Sequence, residues 1–516
     1  AAAAVADAFT CGTVDEIIDK ALEYIPESCD YRTVVNAVRD FHKKNPDDFR
    51  AARAFVDENF GAHLFPGYCH IIPNAGICIL AMLYSGGDLG RAIEIAVMCG
   101  FDTDCNSSSI GTILGVWNGI EKVPERYRKP INDTVVLSSA SGYLNMHDLP
   151  EAAKNIYNTA CELYGYESEK VTAAAPGEIF MDFSLPGSTY GIELSEEAHH
   201  TIRNSEGCGT EGGRALELLI DGKHPKPVNM TFKAFYTADD FNDDQYSPVF
   251  SPRVYPGQTL EALVYVQPES EAQVSLKPWL NTVFNKTEYC GDVTELAAGK
   301  WQKIEFKVPS LSGDIIHDIG FEVAVKALVP EPQVKVHVYF DYIRVSGGYG
   351  CLFDLTRGIK EFDEPIPFST TDCKTFFTRG MLYMASEELG LAFTGNYYAA
   401  DQSIEAVTDI DSGSTAGFIL RAQGLRRFYS LGLDKGRAVI KLHFNGEVTE
   451  LASADAAEFA PNCNMIARAE DDKLSLYING EAVVQAADNT LTYGMVGMFA
   501  EKSQAGFENI AIIGNI

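Results

Sequence analysis

No stretch of the 516 residues stays apolar for the length a bilayer crossing needs, so no membrane-spanning helix is expected. Basic charge is scarce: 41 Lys and Arg stand against 72 Asp and Glu, a formal net charge of −31. Nucleic acid and anionic membrane surfaces require a basic footprint, so neither is an expected partner. A glycine-rich phosphate loop, a nucleophile elbow, an HExxH helix and zinc-spaced Cys/His pairs are all missing. The 12 cysteines include no Cys-x-x-Cys pair, and Cys78 and Cys99 sit inside apolar helix patterns. Buried free thiols are therefore expected rather than a disulfide framework, which suits a reducing or anaerobic setting. The first residues also lack the basic and then apolar run of a signal peptide.

A chain of this length exceeds what one hydrophobic core serves, and its texture changes near Gly177. Before that point it reads as helices. Ala1–Phe9 is apolar, Val14–Tyr24 is amphipathic and ends at Pro26, Tyr31–Lys44 ends at Asn45-Pro46, and Asp47–Phe60 stops at Gly61. The loop from His63 to Asn74 breaks this rhythm ahead of the apolar helix Ala75–Tyr84. Asp88 can cap a helix running to Cys99, and Gly100 can stop it. Asp148–Tyr164 reads as a closing helix, and Glu167–Pro176 has the composition of a linker. Beyond Gly177, short alternating segments bounded by turns describe an all-β sandwich: Ile179–Phe183, Ala215–Ile220, Thr231–Tyr236, Leu260–Val266, Gln302–Val308 and Val334–Val345. Gly347-Gly348 marks another boundary. After it, Ala416–Ala422, Arg427–Leu433 and Leu474–Val484 alternate strongly, the last around Asn479-Gly480, the signature of a type I′ hairpin.

The chemistry centres on Gly100-Phe101-Asp102-Thr103-Asp104-Cys105-Asn106, a turn with two carboxylates one residue apart, followed by the small-residue helix Ser107–Gly119. Hard divalent cations take oxygen ligands, so the two carboxylates can converge on an ion or its waters. They can equally cap the helix and complement its dipole, and spacing leaves both readings open. Gly111, Gly115 and Gly119 recur every fourth residue, so their face is expected to admit a closely packed second helix.

Together with Gly111-Thr112-Ile113-Leu114-Gly115 and Asn118-Gly119, this stretch resembles the second metal motif of the ADP-ribosylglycohydrolase family, an all-helical fold with a dinuclear magnesium centre. The resemblance covers residues 1–165. It implies that Asp102 and Asp104 ligate Mg2+, as one ion or two, or another divalent cation. The family's third ligand, a hydroxyl, falls on Cys105, and a thiol is a poor partner for magnesium. Cys105 and Asn106 would border the ion, with His70 and Asn74 on the rim as substrate contacts; a structural hydrogen bond is the other reading of His70. The family's remaining metal motif, and the acidic residue that assists water, lie N-terminal to the matched part. The catalytic residue is therefore expected N-terminal to this chain, and a separate N-terminal polypeptide is one way of completing the domain.

Trp301–Pro309, Ile319-Gly320-Phe321 and Val338–Val345 resemble the closing strands of a galactose-binding-like jelly roll. Their aromatic residues read first as core or cross-strand packing. Tyr493–Phe499 and Phe507–Ile510 resemble the last strands of a concanavalin-A-like sandwich, in which Arg421 and Tyr429 either touch sugar or pair across strands. The expected architecture is multidomain: an all-α ADP-ribosylglycohydrolase-like domain over 1–168, its N-terminal part absent, then all-β sandwiches at 177–346 and 349–516. The expected activity is metal-dependent hydrolysis of a furanosyl glycosidic bond on a glycan held by the sandwiches as carbohydrate-binding modules. An ADP-ribosyl-protein hydrolase and a non-catalytic glycan-binding protein are the alternatives, so the expected partner is a carbohydrate or an ADP-ribosyl substrate. Modules of this kind point to an extracellular or cell-surface location.

Overall fold

The computed structural model describes residues 1–516 apart from 68, 196–199, 224, 241–246, 269–271, 329–332, 412–413 and 457–460. The chain divides into two compact units, 1–131 and 132–516. Among the described residues no helix is long and apolar enough to cross a membrane.

The first unit is helical: α1 (Ala2–Ala8), α2 (Val14–Glu23), α3 (Asp30–Lys44), α4 (Phe49–Phe60), α5 (Ile71–Tyr84), α6 (Leu89–Cys99), α7 (Thr103–Asn118) and α8 (Glu125–Ile131). Short polar side chains start these helices by accepting from otherwise unpaired N–H groups: Thr13 for α2, Asp48 for α4 and Asp88 for α6. Helix α5 is apolar on all sides, and ten of its 14 residues are buried, so it forms the centre on which α3, α4, α6 and α7 pack. Gly76 permits that packing, because a Cβ there would stand 3.0 Å from Val56 and 3.1 Å from Val34. Val34, Val38, Val56, Leu80, Ile95, Ile110 and Leu114 fill the core around it.

Two helix starts differ from the sequence expectation. Helix α5 begins at Ile71 rather than Ala75, because Pro73 falls in the first turn, where its missing N–H costs nothing. Helix α7 begins at Thr103 rather than Ser107, so Asp104, Cys105 and Asn106 stand on its first turns and not in the preceding turn. The glycine stripe of α7 also behaves otherwise than expected. A side chain at Gly111 would only touch Ile93, at 3.9 Å, and no described atom lies within 4 Å of where one would begin at Gly115 or Gly119.

The second unit opens with a short ribbon, Thr134–Val136 against Met146–Asp148, and helix α9 (Leu149–Tyr164). The helical domain expected to end at 168 thus extends past the boundary between compact units, which falls after 131. Asp133 accepts from the N–H groups of Thr189 and Tyr190, Arg253 pairs with Asp148 at 2.5 Å, and the buried Lys154 of α9 pairs with Asp182. Amphipathic periodicity marks α9 as a helix with one packed face, but says nothing of which core that face meets.

Two antiparallel sheets form the first sandwich. In one, Trp301–Lys307, Thr259–Val266, Gln333–Ser346, Ala215–Lys223 and His200–Ser205 lie side by side in that order, with Ile179–Met181 added on Gln333–Ser346. In the other, Glu288–Cys290, Ala272–Thr282, Ile316–Ala327, Val228–Lys233 and Glu193–Leu194 follow one another, with Thr294–Leu296 added on Ala272–Thr282. Strict alternation explains the layering: along Thr259–Val266 every second residue is buried, and Leu218, Val264, Phe321 and Phe340 meet between the sheets. An eight-stranded and a seven-stranded sheet form the second sandwich around Phe418, Leu431, Met465, Leu476, Met498 and Phe507. Its Asn479-Gly480 turn has φ of 51° and 85°, as a type I′ hairpin requires.

Candidate functional site

Helix α6 ends at Gly100, whose φ of +78° turns the chain where a side chain would be strained. Phe101 follows, and the Arg53 guanidinium lies 4.8 Å over its ring. Arg53 also donates from Nε to the Cys99 carbonyl at 2.5 Å, so α4 fastens the end of α6.

Asp102 occupies the N-cap of α7, yet its carboxylate makes no capping hydrogen bond. Its oxygen, a carboxylate oxygen of Asp104 and the Cys105 Sγ lie within 4.8 Å of one another. Asp102 is half-buried, while Asp104 and Cys105 are exposed. A second exposed thiol, Cys69, comes from the loop before α5. Asp102 is held below the ordinary carboxylate range, chiefly by the Cys105 thiol that donates to it. Asp104 and Cys69 add to this, against partial desolvation. Through the same hydrogen bonds and its charge, Asp102 pushes both thiols up.

One turn deeper the chemistry becomes structural. Asn106 is buried; its Nδ2 donates to Asn74 Oδ1 at 3.0 Å, and the Cys78 thiol donates to its Oδ1 at 3.4 Å. This chain ties α5 to α7, and burial pushes the Cys78 thiol up to about 12. His70 caps α5: its Nδ1 accepts from the Ile72 N–H at 3.2 Å, and its ring sits 5.3 Å from Phe65. Neither His70 nor Asn74 belongs to the trio formed by Asp102, Asp104 and Cys105. Tyr68, in the same loop, lies outside the described residues. Sequence reading passed over Cys69 and Arg53; a second thiol in the histidine-bearing loop was the available signal for the first.

Two carboxylates and a thiol, all reachable from solvent, fit one divalent cation with open positions. They do not reproduce the oxygen-only ligand set of a two-magnesium centre, and among the described residues no second such cluster accompanies them. All 12 cysteines are free thiols, as expected; Cys69, Cys105 and Cys290 are exposed rather than buried.

In the second sandwich, Arg421 and Tyr429 do not face sugar. Both are buried: Arg421 donates to the carbonyls of Ala400, Leu491 and Asp471, and the Tyr429 hydroxyl donates to Asp488. They fasten loops to the sheet, because a guanidinium taken out of water must meet oxygen acceptors.

Residues 1–161 match the family model of the ADP-ribosylglycohydrolases, which makes this part of the chain an ADP-ribosylglycohydrolase domain. No curated protein matches the chain. Among solved structures, it is similar to carbohydrate-binding module CBM66 from Bacillus subtilis, at 17% identity over 28% of this chain and 92% of that chain, with a TM-score of 0.26. It is also similar to the CBM22-2 xylan-binding domain of Paenibacillus barcinonensis Xyn10C, at 15% identity over 33% of this chain and 98% of that chain, TM-score 0.24. The CBM22-1–CBM22-2 tandem of the same Xyn10C matches at 11% identity over 67% of this chain and all of that chain, TM-score 0.23.

Proposed function

We propose that the chain is a metal-dependent glycoside hydrolase of ADP-ribosylglycohydrolase fold, cleaving a furanosyl glycosidic bond in a glycan held by its two β-sandwiches as carbohydrate-binding modules. The observation that carries this reading is the convergence of Asp102, Asp104 and Cys105 inside the segment matched to that family. Asp102 and Asp104 would hold one divalent cation, magnesium or another. When bound, such an ion supplies Lewis-acid polarisation and orients sugar hydroxyls and water. Cys105 borders it, and Asn106, fixed by Asn74, sets the floor beside it. His70 and Asn74 form the rim that meets substrate. The reading divides the chain into domains 1–168, 177–346 and 349–516, and places it outside the cell or at its surface, where the sandwiches meet polysaccharide.

A second reading is favoured by one residue. Cys105 stands where the family carries a hydroxyl ligand, which suits a glycan-binding protein without catalysis. The test is to incubate the full-length protein, with whatever completes its catalytic domain, and a variant of it carrying Asp102→Asn with Asp104→Asn, with Mg2+ or Mn2+ and aryl furanosides, ADP-ribosyl-arginine or ADP-ribosyl-serine. Furanose release lost in the variant supports the proposal. Release of ADP-ribose alone moves the activity to ADP-ribosyl adducts, and the absence of both turnover and divalent binding leaves the non-catalytic reading.

A further inference from the structure

The outer face of the first sandwich carries a line of side chains that no sequence motif announced. Cross-strand register aligns Trp301 with Tyr265, Tyr265 with Tyr339, Tyr339 with Glu217, and Glu217 with Arg203, one residue from each of five adjacent strands. All five point away from the core, since their neighbours Val264, Val266, Val338, Phe340, Leu216 and Leu218 are the ones buried between the sheets. An outward sandwich face is ordinarily a solvated polar surface, so three consecutive aromatics across its middle call for an explanation. The rings of Tyr265 and Trp301 have centroids 5.2 Å apart and those of Tyr265 and Tyr339 6.3 Å, and each of the three residues is partly exposed.

The polar end of the line is built rather than loose. Glu217 is 1% exposed and accepts from Arg203 Nε at 2.6 Å and Nη2 at 3.1 Å, from the Ser205 hydroxyl, and from His337 Nδ1 at 2.5 Å. One buried carboxylate thus orients an arginine whose side chain remains 64% exposed, and a histidine ring that stacks beside Tyr339 with centroids 6.3 Å apart. An apolar platform ending in a few fixed donors is the arrangement that recognises a ligand with flat C–H faces and hydroxyl edges. Five strands at about 4.8 Å spacing give a line about 19 Å long, enough for several sugar units of an extended chain. A net charge of −31 and a local Arg–Glu pair neutral overall select against a polyanion.

We infer that this line is a binding site for a neutral polysaccharide chain lying across the strands, its sugar rings stacked on Trp301, Tyr265 and Tyr339 and its hydroxyls met by Arg203 and His337. The inference rests on the glycan-binding reading above and assigns it to one face of one sandwich. The test is affinity electrophoresis and calorimetry of the full chain with soluble xylan, mixed-linkage β-glucan, arabinan, galactan and levan, and with polygalacturonate as the polyanion. Binding of a neutral polymer should fall roughly 10-fold or more in Trp301→Ala and in Tyr265→Ala, as loss of an aromatic anchor gives. Trp301→Phe, which keeps an apolar ring, should retain the affinity while losing the ligand-induced change in tryptophan emission, and it serves if the alanine variants fold poorly. Unchanged affinity in both alanine variants, or an emission response that persists in Trp301→Phe, overturns this site and leaves glycan binding elsewhere on the chain. Preference for polygalacturonate overturns the neutral ligand, and failure of the intact chain to bind any polymer overturns the glycan-binding reading as well.

Discussion

At the acidic elbow, three atoms able to ligate a cation come from residues 102, 104 and 105; on the sandwich face, five side chains in one line come from residues 203, 217, 265, 301 and 339. The elbow is a local device. A helix stop, an N-cap and a first turn place its groups, and two of the three are exposed. The sandwich line exists only when five strands pair in register, and its polar anchor lies at 1% exposure. Local sites can change their chemistry with little effect on stability, whereas a site assembled from register shares its energy with the fold.

The largest effect that would sharpen this contrast is at the elbow. Asp102→Asn with Asp104→Asn should weaken divalent binding at least about 100-fold in calorimetry while leaving the melting temperature nearly unchanged, since neither carboxylate is deeply buried. A large drop in melting temperature would show the elbow to be structural after all.

Glu217→Gln should do the opposite, destabilising the chain by about 2–3 kcal/mol in urea unfolding, because the buried acceptor of Arg203, Ser205 and His337 loses its charge. The pH dependence has a definite sign. Burial raises the Glu217 carboxyl, but Arg203, Ser205 and His337 outweigh it and hold it down at about 2, below the ordinary 4.5. A depressed carboxylate contributes stability that is present above the unfolded value and lost as pH falls from about 4.5 through about 2. Wild type should therefore lose stability relative to Glu217→Gln over that acid window; parallel profiles would break the argument.

A smaller effect tests the donor chemistry of the elbow. Cys105→Thr restores a hydroxyl and should raise Mg2+ affinity several-fold while lowering Cd2+ affinity by a similar factor, read by competitive titration. Equal changes for both ions would mean that Cys105 stands off the cation. Smallest of all, Gly115→Ala should stabilise α7 by about 0.5–1 kcal/mol, because a helical glycine wastes backbone entropy and no atom of another element crowds the new methyl. A loss of stability would show that the glycine stripe packs another helix.

Much of the fold was legible in advance because it is written in short-range patterns. Asp88 announced a helix start, alternation announced a strand at Leu260–Val266, and Asn479-Gly480 announced its hairpin. That Asp102, Asp104 and Cys105 are neighbours at a helix start was legible for the same reason, but their spacing left cation binding and helix capping both open. Less was visible wherever an environment decided the outcome: His70 and Pro73 open α5 earlier than its apolar run, and Arg421 and Tyr429 went to the interior instead of a sugar face. The allegiance of α9 depended on Lys154 finding Asp182, which periodicity does not encode.

By itself, the sequence of this protein determined its texture: helices followed by two sandwiches, a strongly acidic surface and an aspartate pair at a helix start. Each follows from interactions a few residues long, or from charge summed along the chain. Only the tertiary structure decided that Asn106 meets Asn74 and Cys78, that no other helix presses on Gly115, and that three aromatic rings and a buried carboxylate stand in one line. Those outcomes depend on which strand pairs with which and in what register, and pairing is settled by burial of the whole sheet face rather than by any segment alone.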